Sequence, residues 1–107
     1  MELHGTYYEL DDKGYLTDMS RWDSRLRDWL AARENIALTA EHLGVIDFLR
    51  RYYHQHGTHP VVRMITAEMA GVLGPDKATI KYFHALFPAG IHQAFKIAGL
   101  PMKQSCC

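Results

Sequence analysis

The second half of this chain is divided by breaks that no continuous helix passes through: Gly57, Gly74-Pro75, Pro88, and Gly99 followed by Pro101. Glycine takes the left-handed backbone that closes a helix, and proline lacks the N–H that would continue one. Between the breaks, apolar residues recur at helical spacing. Val62, Ile65, Met69 and Val72 form one stripe, Ile80, Phe83, Leu86 and Phe87 a second, and Ile91, Ala94, Phe95 and Ala98 a short third. The spacing predicts a helix with Pro60 in its first turn, a helix closed by Pro88, and a short helix ending at Gly99.

The first half adds two more helices. Ser20, with Asp23 three residues on, is an acidic variant of the capping box and is expected to start a helix. Trp22, Leu26, Trp29 and Leu30 then face inward, Arg25, Arg27 and Arg33 face outward, and Asn35 ends it. Thr39 caps the next helix, which runs to His56. Its stripe of Leu43, Ile46, Leu49 and Tyr53 is widened by Val45, Phe48 and Tyr52, so it is expected at the centre of the core. Residues 2–17 read as a small β-meander. Thr6, Tyr7 and Tyr8 lie on a strand, Asp11-Asp12-Lys13-Gly14 is a turn, and Tyr15-Leu16 resumes the strand. Such short strands are stable only against helices. The fold class is α+β, mostly α: a β-meander packed on about five helices, in a single domain over residues 1–107.

A chain of 107 residues suffices for one modest core. Twelve Lys and Arg balance twelve Asp and Glu, so no general pull toward nucleic acid or an acidic membrane is expected. Apolar runs stop at three or four residues, too short to span a bilayer, and the N-terminus lacks the pattern of a signal peptide. Cys106 and Cys107 cannot staple a secreted fold, which points to a cytoplasmic protein with reduced thiols. Beyond Pro101 few apolar side chains remain, and residues 100–107 read as a mobile arm. Its seven residues from Pro101 reach about 23–25 Å when extended. A thiol on such an arm can enter another protein's active site.

Several short pieces, in order, resemble the DsrC/TusE family. They are Gly14-Tyr15-Leu16, Trp22, Leu38-Thr39-x-Glu41-His42, Phe48-Leu49-Arg50-x-Tyr52-Tyr53 and Pro60-x-Val62-Arg63. Leu86-Phe87-Pro88-x-Gly90 follows, then Gln93-Ala94-x-Lys96-Ile97-Ala98-Gly99-Leu100-Pro101 and the penultimate Cys106. The resemblance spans nearly the whole chain. It implies persulfide transfer through Cys106, by a sulfurtransferase-type carrier that acts only with partner proteins and needs no cofactor or metal. The implied donors are complexes like TusBCD or DsrEFH. The implied acceptors are a tRNA 2-thiouridylase or a sulfite reductase.

The chain departs from the family pattern at four places. Members that act with dissimilatory sulfite reductase have a second cysteine where this chain has Phe95, so its single penultimate cysteine follows the TusE-like pattern. The segment between Gly90 and Gln93 is one residue shorter and lacks the usual proline. Leu43 replaces a tryptophan, and Cys107 an aliphatic residue.

Among auxiliary candidates, Lys103 lies close enough along the arm to lower the Cys106 pKa slightly. Lys96 and Arg63 either guide the arm or a sulfur oxyanion, or are solvated charges beside apolar stripes. Cys107 either resolves a persulfide or is a bystander. A terminal Cys-Cys also ends some prenylated GTPases, but no phosphate-binding loop accompanies it here. His54-x-His56-x-x-His59 lacks a third-ligand motif and reads as a polar helix end and loop. The alternative from another class is a non-catalytic regulatory or DNA-binding module. It would use the helices around Gly57 as a helix-turn-helix, with Arg50, Arg51, Arg63, Lys77 and Lys81 as its basic residues.

Overall fold

The computed structural model describes residues 2, 3 and 5–101. Strand β1 (Glu2–Leu3) pairs antiparallel with β2 (Thr6–Tyr7), placing Glu2 opposite Tyr7 and Leu3 opposite Thr6. Five helices follow: α1 (Ser24–Arg33), α2 (Ala40–His56), α3 (Val62–Leu73), α4 (Ile80–Leu86) and α5 (Ile91–Ile97). The architecture is mostly helical with one small antiparallel sheet, as the sequence predicts. The strand predicted at Tyr15-Leu16 is reduced to a single bridge between Leu10 and Leu16. The cause is local. Asp11 turns its carboxylate onto the amides of Lys13 and Tyr15, both at 2.9 Å, and so builds a turn where a ladder would continue.

Local chemistry sets the helix ends. Asp18, not Ser20, accepts from the Ser20 amide and caps a 3-10 turn over Met19–Arg21. The first α-helix begins three residues later, because Asp23 accepts from the Leu26 amide at 2.9 Å. Trp22 therefore precedes α1. Helix α2 spans the predicted residues. Thr39 and His42 form a reciprocal capping box, and Gly57 closes the helix at φ +72°. His42 Nε2–H also donates to the Leu86 carbonyl (2.9 Å), which ties the start of α2 to the end of α4. Pro60 is buried but lies outside α3, which starts at Val62 after an N-cap, Val61, that makes no side-chain bond.

The core gathers Tyr8 and Leu16 from the N-terminal turns, Leu26 and Leu30 from α1, Leu49 from α2, and Phe83, Phe87 and Phe95 from the last helices. Helix α2 packs on both α3 and α5, so its predicted central place holds. Three stripe residues face solvent instead: Leu43, Val72 and Ile80. The inward stripe of α2 is rotated to His42, Val45, Ile46 and Leu49. Arg27 is half-buried beside Asp28 rather than fully outward. Leu100, assigned to the root of the arm, is fully buried and belongs to the core.

Asp23 also accepts from the buried Tyr8 hydroxyl. That bond, with the Leu26 amide next in weight, holds its carboxyl below the usual carboxylate value. A lowered carboxyl pKa stabilises the fold above the unfolded-state value of about 3.9, and the contribution is lost as pH falls through the lowered folded-state value. Asparagine caps helices about as well as aspartate. Asp23→Asn is therefore expected to melt below wild type at neutral pH, with the gap closing as pH falls below the carboxylate range. A gap that persists unchanged in acid, measured by thermal melts across pH, would contradict this reading.

Candidate functional site

The site is built from the end of α5 outward. After Ile97, the cap residue Ala98 stays near helical dihedrals (φ −75°, ψ −4°), and Gly99 turns left-handed at φ +76°. The Leu100 amide then donates back to the Phe95 carbonyl and the Gly99 amide to the Lys96 carbonyl, each at 3.1 Å. This is a Schellman ending, with Leu100 buried as its apolar closure. Among the described residues, no backbone N–H donates to the carbonyls of Ile97 and Ala98.

Two side chains supply those donors. The Trp22 indole N–H donates to the Ile97 carbonyl at 3.0 Å. Arg50 Nη1 donates to the Ala98 carbonyl at 2.9 Å, while its Nη2 donates to the Met19 carbonyl at 3.1 Å. The guanidinium lies over the Trp22 ring, 4.2 Å from the centroid. Burial lowers its pKa, but arginine keeps its charge in proteins. One residue further on, His59 Nε2–H donates to the Pro101 carbonyl at 2.7 Å. The His59 ring packs on Phe95, with centroids 4.7 Å apart, and on Tyr53 at 5.2 Å. Side chains from the α1 entry, α2 and the α2–α3 loop thus converge on the carbonyls of Ile97, Ala98 and Pro101.

The predicted site residues fare differently. Lys103, Cys106 and Cys107 lie outside the described residues. Lys96 is half-buried on the other side of α5. Its Nζ is 3.6 Å from Glu34 and sits over the Tyr15 ring at 5.3 Å, beside Gly14. Arg63 is exposed in the first turn of α3, an element that packs on α2 and α4. The structure does not bring these two cations together. Phe95 is fully buried. Among the described residues, no group of three or more His, Cys, Asp or Glu is placed to hold a metal ion, and no helix is long and apolar enough to cross a membrane. Sequence reasoning missed Trp22, Arg50 and His59 as anchors. It placed Trp22 on a core stripe, Arg50 on a basic surface and His59 in a polar loop. The available signal was the pair of orphan carbonyls that any helix ending in Gly-x-Pro leaves behind.

The family model for DsrC like protein matches residues 2–107. The chain belongs to the DsrC-like family. Two relatives of this DsrC-like chain are each named sulfurtransferase TusE. One, from Sodalis glossinidius (strain morsitans), is 43% identical over 107 residues and covers 99% of both chains. The other, from Escherichia coli O6:H1, is 41% identical over 105 residues, 97% of this chain and 96% of the relative. Among solved structures, the oxidised gamma subunit of dissimilatory sulfite reductase (DsrC) from Archaeoglobus fulgidus superposes with a TM-score of 0.92 at 35% identity, covering 99% of this chain and 97% of that one. Allochromatium vinosum DsrC, solved by NMR, gives a TM-score of 0.88 at 37% identity, covering 100% of this chain and 96% of that one. The family expected from the sequence is confirmed.

Proposed function

We propose that this DsrC-like chain is a sulfur-relay protein that carries a persulfide on Cys106. The observation that carries the reading is near-complete alignment, at about two-fifths identity, with proteins named sulfurtransferase TusE. In the proposed step, the Cys106 thiolate attacks the outer sulfur of a donor persulfide. A sulfur–sulfur bond forms on Cys106 as the donor's own sulfur–sulfur bond breaks, and the donor cysteine leaves as thiolate. No electrons are gained or lost overall. An acceptor thiolate then repeats the attack on the Cys106 persulfide. We assign the chain to the cytoplasm, with a TusBCD- or DsrEFH-like donor complex and an acceptor such as a tRNA 2-thiouridylase or sulfite reductase.

Burial of Phe95 supports the one-thiol, TusE-like form of the cycle. The family's second cysteine would stand at this position, and here a fully buried aromatic ring fills it. The basic surface of the DNA-binding alternative is depleted by the fold. Arg50 turns inward onto backbone carbonyls, Arg51 pairs with Asp47 and Glu68, and Lys77 pairs with Glu41 at 2.7 Å.

Intact-mass spectrometry after incubation with a persulfide donor tests the reading. The wild-type chain is expected to gain one sulfur atom, to lose it on reduction, and to show the gain on its C-terminal peptide. A chain that gains no sulfur would overturn the relay. Salt-dependent retention on DNA would then favour the binding module.

A further inference from the structure

We infer that Trp22, Arg50 and His59 are positioning residues of the relay, fastening the base of the cysteine-bearing terminus so that it leaves the body at a fixed place and in a fixed direction. The inference rests on the proposed function and adds residues to it. Ile97, Ala98 and Leu100 are fully buried, so water does not reach the carbonyls that this helix end leaves over and the protein itself must supply their donors. Here the carbonyls of Ile97, Ala98 and Pro101 are each met by a separate side chain, at 3.0, 2.9 and 2.7 Å. The donors come from far along the chain, 75, 48 and 42 residues away.

Arg50 makes the arrangement directional. Its planar fork joins Ala98 to Met19, and Trp22 supports its face. Lysine, a point charge on a flexible stem, cannot span both carbonyls in that geometry. Sulfur transfer between two proteins depends on delivering a thiolate within bonding distance of a partner's persulfide. A terminus that starts from a fixed base searches less space than one whose base is frayed.

Two measurements separate this role from general stability. The first does not depend on the relay. Hydrogen exchange in Arg50→Gln and in Trp22→Phe should show the Gly99 and Leu100 amides losing protection by about ten-fold or more, as expected when bonds to charged or buried groups are removed. Amides in the middle of α2 should change little. If the Gly99 and Leu100 amides exchange no faster than in wild type, or only as fast as the whole core, the fastening role is overturned.

The second is the rate of loading from a protein persulfide donor. Arg50→Gln should load about ten-fold more slowly, with Arg50→Lys between it and wild type. Alkylation by a small electrophile should be unchanged, because thiol reactivity itself is untouched. Inserting Gly-Gly after Pro101 in the wild-type chain should reproduce the loss without lowering the melting temperature, and should add nothing when combined with Arg50→Gln. An insertion that leaves loading at the wild-type rate would overturn the positioning role. Failure of the wild-type chain itself to load would instead count against the relay reading, with the exchange data still deciding the fastening.

Discussion

Cys106→Ser is expected to abolish sulfur loading, while Cys107→Ser loads at close to the wild-type rate. Only a thiolate attacks a persulfide at a useful rate, and a serine hydroxyl at neutral pH offers no equivalent nucleophile. A free cysteine with a pKa of about 8.5 is only a few per cent thiolate at neutral pH. Lys103 can shift that balance slightly along the chain, and salt screens even this small effect. On the proposed relay, a donor's pocket would supply most of the activation and shield the product from further oxidation. If Cys107 resolved the persulfide instead, it would release sulfide and leave a disulfide between adjacent residues, which strains the intervening peptide. Timed intact-mass spectra of the two single variants distinguish these routes. Loading that disappears only in Cys106→Ser supports the carrier and makes Cys107 a bystander. Loading that follows Cys107 would move the active thiol by one residue and overturn the assignment. Both variants should keep the wild-type melting temperature, since few apolar side chains follow Pro101 in the sequence and a terminus of that composition is expected to contribute little burial.

Gly99→Ala is expected to destabilise the fold by about 2–5 kcal/mol, combining the strain of a left-handed non-glycine residue with overpacking. At φ +76°, an added Cβ would come within 2.2 Å of Trp22 Cδ1 and 2.7 Å of Trp22 Cγ. The indole cannot retreat freely, because its N–H bonds the Ile97 carbonyl and its face carries Arg50. For a domain of this size, the melting temperature should fall by about 10 °C or more. Gly57→Ala is the control. It has a similar left-handed backbone, φ +72°, with nothing within 4 Å of the added carbon. It should cost only the backbone term, about 1–2 kcal/mol. Equal losses in the two variants would mean that the close approach of Trp22 to Gly99 has no energetic consequence. On the positioning inference, persulfide loading by surviving Gly99→Ala protein should also slow, because displacing Trp22 would disturb the donors to Ile97 and Ala98.

Much of this molecule is legible one segment at a time. Thr39 and Gly57 mark the ends of α2 because a cap and a left-handed closure act through bonds to residues within one turn. The family resemblance, the penultimate Cys106 and the replacement of the second cysteine by Phe95 are matters of residue order and need no coordinates. Other features depend on partners distant in the chain. Leu43, Val72 and Ile80 fit apolar stripes yet face solvent, since a stripe wider than its partner surface leaves its margin uncovered and only packing decides which margin that is. The sequence marks Ser20 as the start of the first helix and Asp23 as its capping-box partner, whereas Asp23 itself caps α1 and the Tyr8 hydroxyl meets it through the fold. The fastening of residues 97–101 by Trp22, Arg50 and His59 carries no periodic signal at all. Helical and strand patterns record which face of an element is apolar. They do not record which distant donor will meet a carbonyl left over at a helix end, because that pairing exists only once tertiary packing has brought the two together.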